Sequence, residues 1–227
     1  MNSGSLYIVA TPIGNLMDFS FRAVETLKKV DFILCEDTRT TGNLLKHFEI
    51  KKELISFNAR MEEKKIESVI NRIQSGSSSA LLSDAGTPAI SDPGVRLVNA
   101  AHKNGIEVVG IPGANAAVLA LSIAGLPTDS FIFEGFLPQK KGRQKLLKKL
   151  SEEDRTIVLY ESMYRIEKLI NELNEFMPNR LIAIGRELTK MFEEVWRGYP
   201  NDIMDSLSEH KLKGEFVVII APINWKE

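Results

Sequence analysis

The sequence predicts two α/β domains, with a mostly parallel sheet covered by helices on both faces in residues 1–122 and a mixed sheet in residues 123–227. Short apolar runs alternate with amphipathic segments through the first half, which is typical of parallel βαβ units. In the second half, two apolar runs between residues 181 and 198 lie too close together for a crossover helix. We therefore expect those two strands to be antiparallel.

In the first domain, we expect strands at 6–10, 32–36, 53–57, 79–83 and 107–111, each a short apolar run. Helices are expected between them, the clearest at about 19–29, 62–73 and 95–102. Ile66, Val69 and Ile73 recur at helical spacing in the second of these, as on the buried face of an amphipathic helix. Gly125 and Pro127 follow the last helix of the domain and are typical stop signals.

In the second domain, we expect strands at 130–136, 156–160, 181–186, 193–198 and 214–220, and helices at 142–150, 165–176 and 201–208. Two separate sheets leave a cleft between them, which is a common position for a cofactor. The sequence therefore predicts a ligand site in the cleft.

The composition narrows the class of protein. Of 227 residues, 44% are hydrophobic and 26% are charged, as in soluble globular proteins. No apolar run is long enough to span a bilayer and no signal-peptide pattern is present, so no membrane association is expected. The single cysteine, Cys35, suits a reducing compartment such as the cytoplasm. The three histidines are far apart in sequence, so no metal site is expected.

Three of the predicted strands end in loops of small and turn-forming residues. These loops contain TPIGNL (11–16), SDAGTPAISDPG (83–94) and PGANAA (112–117). Ligands bind at the carboxyl ends of strands in open α/β sheets, where main-chain N–H groups converge. The alternative is that they are ordinary strand-to-helix connections, because Gly, Pro and Asp are common turn residues.

One stretch of the second domain is strongly basic, although the net charge of the chain is −1. Lys140, Lys141 and Arg143 begin a run that continues through Lys145, Lys148 and Lys149 with no acidic residue. Such a run is able to neutralise several phosphates of a nucleic acid, and we take the first three residues as RNA-contact candidates. The alternative is a solvated helix face.

Two charged motifs follow strand ends, one in each domain. Asp37 with Arg39, and Arg186 with Glu187, each supply a carboxylate and a cation together. Such pairs are able to orient a weakly acidic hydroxyl and to stabilise the alkoxide that forms from it. The alternative is a structural ion pair at the domain junction.

Six motifs, in order, resemble those of the tetrapyrrole methylase superfamily over residues 6–222. They are ATPIGNL (10–16), CEDTR (35–39), SDAGTPAISDPG (83–94), GFLPQKKGR (135–143), YES (160–162) and RELTK (186–190). The sequence is most similar to the branch that methylates a cytidine 2′-hydroxyl in the decoding region of 16S ribosomal RNA. The superfamily's first loop usually contains more glycine, and Thr87 stands where relatives often carry Asp.

The resemblance implies S-adenosylmethionine as the methyl donor, 16S rRNA in the small ribosomal subunit as substrate, and a homodimer. For methyl transfer to a hydroxyl, the catalytic candidates are the two charged motifs at strand ends, Asp37 with Arg39 and Arg186 with Glu187. The resemblance also implies that the cofactor touches a larger set of residues: Pro12, Ile13, Gly14, Asp84, Thr87, Pro88, Ile90, Gly113, Ala114, Tyr160, Gly185 and Glu215. Asp84 has the alternative role of a helix cap.

Two other functions fit the same fold. One is methylation of a tetrapyrrole or of a modified histidine of the diphthine type, for which an uninterrupted basic run is not required. The other is a non-catalytic module that binds a nucleotide or a protein partner.

Overall fold

A computed structural model describes residues 3–58 and 62–226 of the chain, without the side chains of 62–64. It contains two compact units that divide between Asn115 and Ala116. The boundary expected from the sequence, at residue 122, lies within the helix that follows this point. That helix belongs to the second unit because it packs on two strands there.

The first unit has five strands and four helices in strict alternation. The strands are β1 (Ser5–Val9), β2 (Phe32–Cys35), β3 (Glu53–Ser56), β4 (Ser79–Leu82) and β5 (Glu107–Ile111), and the helices are α1 (Phe21–Lys29), α2 (Thr38–His47), α3 (Glu62–Gln74) and α4 (Val95–Lys103). All strand pairs are parallel, in the order β3-β2-β4-β1-β5. This confirms the predicted parallel sheet.

Alternate residues of each buried strand pack on opposite faces of the first sheet. Phe32 and Leu34 contact the apolar sides of α3 and α4, whereas Ile33 packs with α1 and α2. Both faces of this sheet are therefore covered by helices. Because residues on either face are buried, the central strands are continuous apolar runs. Helix α1 begins two residues later than expected because Ser20 caps it and a short 3₁₀ helix, Leu16–Asp18, precedes it.

The second unit is a mixed sheet. Its elements are α5 (Ala116–Ile123), β6 (Phe131–Phe136), α6 (Arg143–Ser151), β7 (Thr156–Ser162), α7 (Ile166–Phe176), β8 (Ile182–Arg186), β9 (Glu194–Gly198), α8 (Pro200–Asp205) and β10 (Glu215–Ile220). The strand order is β6-β7-β10-β8-β9. Only β6 and β7 pair in parallel, and β8 and β9 are antiparallel as the short connection predicts.

Helices α6, α7 and α8 cover one face of the second sheet. Helix α8 ends at Asp205, earlier than the expected residue 208, and a 3₁₀ turn, Leu207–Glu209, follows it. No helix in residues 3–58 and 62–226 is both long and apolar enough to cross a membrane.

Candidate functional site

The three small-residue loops of the first unit lie side by side. They follow β4, β1 and β5, which are neighbouring parallel strands in that order. Because parallel strands end at the same edge of a sheet, Pro12, Ile13 and Gly14 of the first loop lie beside the other two loops. Asp84, Thr87, Pro88 and Ile90 lie in the second loop, and Gly113 and Ala114 in the third.

Hydrogen bonds join the three loops into one surface. The amide of Thr11 donates to the carbonyl of Gly86 at 2.8 Å, and the amide of Gly86 donates back to Thr11 at 3.1 Å. The Thr87 hydroxyl donates to the carbonyl of Ala114 at 3.2 Å. Thr87 therefore links the second loop to the third.

Backbone conformation in the second loop is unusual. Ala89 and Ser91 have φ values of 67° and 62°, a left-handed region that side chains rarely occupy and that is enriched at ligand sites. Gly86 has a φ of 85°, and a Cβ atom there would lie 3.4 Å from Ile13.

Gly113 has a packing role that sequence reasoning did not foresee. A Cβ atom at this position would lie 2.9 Å from the Cβ of Ala10, closer than atoms can pack. A larger residue at Gly113 therefore disturbs the loop itself. A Gly113→Val variant cannot test ligand binding, because it alters the fold as well as the surface.

Asp37 and Arg39 form the first charged motif, at the start of α2. The Asp37 side chain caps the helix by accepting from the Arg39 amide at 2.8 Å, and its Oδ2 is 2.7 Å from the Arg39 guanidinium. The hydrogen bonds from Arg39 lower the pKa of Asp37 to about 2. The Asp37 amide donates to Asp84 at 3.1 Å, so this motif is tied to the loop after β4. The Arg39 side chain is 87% exposed.

Three more carboxylates interact electrostatically at this edge. Burial, followed by the charge of Glu36, raises the pKa of Asp92 to about 6, with a further contribution from Asp84 and an opposing hydrogen bond from Ser83. Burial and Asp84 also raise the pKa of Glu36. Within the described residues, no cluster of His, Cys, Asp and Glu has the arrangement of a metal site.

The raised pKa of Asp92 makes the stability of the protein depend on pH. The variant Asp92→Asn tests this. The pKa of Asp92 lies above the value of an unfolded chain, so the native state binds the proton more tightly and stability falls as pH rises from about 4 to 6. We expect Asp92→Asn to raise the free energy of unfolding at pH 7.5 by about 1 kcal/mol, after allowance for solvent screening. Urea unfolding at pH 4 and 7.5 measures this. An equal effect at both pH values would contradict it.

The three cofactor candidates of the second unit come together across three strands. Val217 of β10 pairs with Tyr160 of β7 on one side and with Gly185 of β8 on the other. Glu215 lies two residues earlier on β10 and therefore on the same face of the sheet. The Tyr160 hydroxyl accepts from the Ala117 amide at 3.2 Å, which fixes the start of α5. A Cβ atom added at Gly185 would lie 3.0 Å from the side chain of Leu188, which packs over this glycine.

Glu187 is joined to Glu215 through a lysine that the sequence analysis did not select. The Lys190 ammonium lies 2.8 Å from a carboxylate oxygen of each. Burial raises the pKa of Glu187, but the hydrogen bonds from Lys190 and the Glu215 amide outweigh it and lower the pKa below its usual value. Glu187 and Thr189 both have positive φ, at 50° and 69°. The loop after β8 therefore has a strained backbone, and the two ion pairs of Lys190 hold it in place.

Arg186, which the sequence analysis expected at an acceptor hydroxyl, is buried and its hydrogen-bond donors are used within the fold. Its side chain is 4% exposed. Its Nε donates to the carbonyl of Lys213 at 2.7 Å and its Nη1 to the carbonyl of Phe192 at 3.0 Å. These bonds join the segments before β9 and β10 to the end of β8.

Arg143 is buried and paired within the fold, so its side chain has little surface left for the RNA contact expected from the sequence. Its side chain is 3% exposed and lies 2.7 Å from Glu172 and 3.5 Å from Glu161. Its Nη1 donates to the carbonyl of Pro138. Arg143, Leu147 and Leu150 are spaced as one helix face, and all three are buried. This spacing is the signal that separates Arg143 from the neighbouring lysines.

The other basic residues form an exposed surface, which we call the lysine surface: Lys140, Lys141, Lys145, Lys148 and Lys149. None of the five makes an ion pair with another residue in the described part of the chain. Lys148 and Lys149 lie three and four residues after Lys145, so both neighbour it on the outer side of α6. Their positive charge is therefore available to a polyanion.

Comparison with known proteins gives consistent results. A family model described as tetrapyrrole (corrin/porphyrin) methylases matches residues 5–202. A Synechocystis protein named ribosomal RNA small subunit methyltransferase I is 48% identical over 96% of this chain and 79% of its own length. A Thermotoga maritima protein of that name is 44% identical over 96% and 98%.

A crystal structure of Thermus thermophilus uroporphyrin-III C-methyltransferase, complexed with S-adenyl homocysteine, matches 97% of this chain and 98% of its own. Its TM-score is 0.65 and its sequence identity 16%. At 16% sequence identity, this similarity shows a shared fold and nothing further.

Proposed function

Because the chain belongs to the tetrapyrrole methylase family, we propose that it methylates small-subunit ribosomal RNA with S-adenosylmethionine as donor. The finer proposal is transfer to the 2′-hydroxyl of a cytidine in the decoding region of 16S rRNA, in the cytoplasm. The observation that carries methylation of small-subunit rRNA is the 44–48% identity to proteins named ribosomal RNA small subunit methyltransferase I, over 96% of the chain; the finer proposal rests on the resemblance of the six motifs. The exposed lysine surface supports an RNA substrate.

Methylation of a tetrapyrrole is the second candidate, since a solved structure with this fold is named for it. A tetrapyrrole of this kind also carries several carboxylates, so the names of the similar proteins favour RNA more strongly than the lysine surface does. Labelled S-adenosylmethionine separates the two substrates when it is incubated with unmodified small ribosomal subunits or with uroporphyrinogen III. We expect label in the RNA alone. Label in the tetrapyrrole alone would overturn the proposal.

We place the cofactor against the three joined loops of the first unit. Ile90 lies in the second loop and is 43% exposed, next to the strained residues Ala89 and Ser91. The donor carries a sulfonium cation, so a positive charge introduced here should repel it and fill its space. The matched control is Val95, which is 63% exposed at the start of α4, beyond the loop.

Ile90→Arg should weaken S-adenosylmethionine binding by at least about 10-fold, which corresponds to 1.4 kcal/mol. Calorimetric titration measures this, with thermal unfolding to show that the fold is kept. Val95→Arg should bind as the parent does. Parent affinity in Ile90→Arg, or an equal loss in both variants, would exclude this position.

Methyl transfer from a sulfonium mainly requires that the acceptor oxygen be aligned with the methyl group. Of the two charged motifs, we assign Asp37 and Arg39 to the acceptor hydroxyl. Arg39 has an exposed guanidinium, whereas the donors of Arg186 are used within the fold. A permanent cation stabilises the alkoxide that develops as the proton leaves. Glu187, which is held by Lys190, then orients the loop after β8.

We also propose a homodimer. Met17 and Phe21 are 91% and 94% exposed beside the first cofactor loop, with Leu16 half exposed between them and the strand. Exposed apolar patches of this kind are typical of protein interfaces. Light scattering at micromolar concentration should give twice the chain mass, and Phe21→Ser should lower it. A parent that is monomeric and fully active would contradict the proposal.

A further inference from the structure

Tyr164 is a large aromatic side chain with no role in the function described so far. It lies in the turn after β7 and is 86% exposed. The turn is closed by a hydrogen bond from the Arg165 amide to the carbonyl of Ser162, at 3.0 Å. The ring is therefore presented to solvent at the carboxyl end of a buried strand.

A buried ionic network holds this turn against the loop that carries the first lysines. Glu161, whose side chain has no exposed surface, accepts from the Ser162 amide at 2.8 Å and lies 2.7 Å from Arg165. Arg165 also donates to the carbonyl of Leu137 at 3.1 Å. Strands β6 and β7 are parallel neighbours, so the two loops lie at the same edge of the sheet.

The same network also holds the loop that carries Lys140 and Lys141 through a second contact, at Arg143. Arg143 donates to the carbonyl of Pro138 at 3.2 Å while it is paired with Glu172. Lys140 and Lys141 extend from the short segment between these anchors and are exposed. Both cations and the Tyr164 ring thus extend from one preformed support, which lowers the entropic cost of binding a ligand.

Tyr164 also borders a second surface, which carries charges of both signs. A groove of about 400 Å³ runs along α7 and is lined by Tyr164, Glu167, Lys168, Asn171, Glu172 and Glu175. Glu167 and Glu175 are exposed there and would repel phosphates, whereas Lys168 adds one positive charge. Lys140 and Lys141 lie in a segment without acidic residues, so phosphates are expected there and not in the groove.

We propose that Tyr164 stacks on a nucleobase of single-stranded substrate RNA whose adjoining phosphates lie against Lys140 and Lys141. Aromatic rings beside lysines are the usual means of binding single strands, since every base has a π face and every nucleotide a phosphate. The proposal rests on rRNA being the substrate. It makes Glu161 and Arg165 positioning residues for both contacts.

Three substitutions of Tyr164 separate stacking from bulk and from folding. Phe keeps the ring, Leu keeps apolar bulk without a ring, and Ala removes both. Affinity for unmodified small ribosomal subunits is measured at several salt concentrations, after methyl transfer by the parent has been established. We expect Tyr164→Ala and Tyr164→Leu to bind about 5- to 100-fold more weakly, the loss typical of one stacked base.

Tyr164→Phe should bind as the parent does, and all three variants should keep the parent's thermal midpoint and cofactor affinity. The salt dependence should be unchanged, because stacking involves no ion release, whereas Lys140→Gln with Lys141→Gln should reduce it. Parent affinity in the Ala or Leu variant would overturn this inference and leave the proposed function standing. Absence of methyl transfer by the parent to any RNA would overturn both.

Discussion

Replacing Arg143 with alanine should lower the free energy of unfolding by about 3–5 kcal/mol, the usual cost of removing one partner from a buried ion pair. The guanidinium is paired with Glu172 at 2.7 Å and also holds the carbonyl of Pro138. Without it, Glu172 keeps only Lys168 at 3.8 Å. A carboxylate that is 7% exposed is then left almost unpaired.

Lys140→Ala is the matched control for this variant. Lys140 belongs to the same basic run but is exposed, so its removal should change stability by no more than about 0.5 kcal/mol. Urea unfolding of both variants measures the difference. A stable Arg143→Ala protein that has lost one phosphate contact, seen as a smaller salt dependence of RNA binding, would show that the side chain faces the substrate after all.

Neutralising the lysine surface should have the largest effect on RNA binding. The variant carries glutamine at five positions: Lys140, Lys141, Lys145, Lys148 and Lys149. Each phosphate contact adds about 0.7–0.9 to the slope of log affinity against log salt. If all five lysines bind phosphates, the slope should fall by about 4 and affinity for small subunits by at least about 100-fold near physiological salt.

A second variant with the same change in net charge serves as control. It carries glutamine at five exposed lysines outside this surface: Lys29, Lys46, Lys51, Lys103 and Lys226. It should keep most of the affinity and of the salt slope, and both variants should bind S-adenosylmethionine as the parent does. Equal losses in the two variants would mean that overall charge, and not this surface, attracts the RNA.

The sequence predicted the sheets well because their signals are local. Each strand is an apolar run bounded by turn residues, and the short segment between Arg186 and Glu194 permitted only an antiparallel pair. The strand order, which places the three small-residue loops on neighbouring strands, was not predicted from the sequence. The strand ends differed from the expected ones by one or two residues.

The charged residues were harder to place because their partners are distant in sequence. Arg186 bonds to the carbonyl of Lys213, 27 positions away, and Arg143 to Glu172, 29 positions away. Neither contact has a local signal, although the spacing of Arg143 with Leu147 and Leu150 did indicate a buried face. Gly113 was expected as a cofactor contact, and no signal in the sequence indicated that its missing side chain also makes room for Ala10.

The central claim is that this chain methylates a ribose of small-subunit rRNA, and the product of the reaction tests it most directly. Small subunits from cells that lack the modification are incubated with labelled S-adenosylmethionine and the chain, and the RNA is digested to nucleosides. We predict label in 2′-O-methylcytidine, from one site in the decoding region. Label on a base, or no label in RNA while the protein binds the cofactor, would contradict the account.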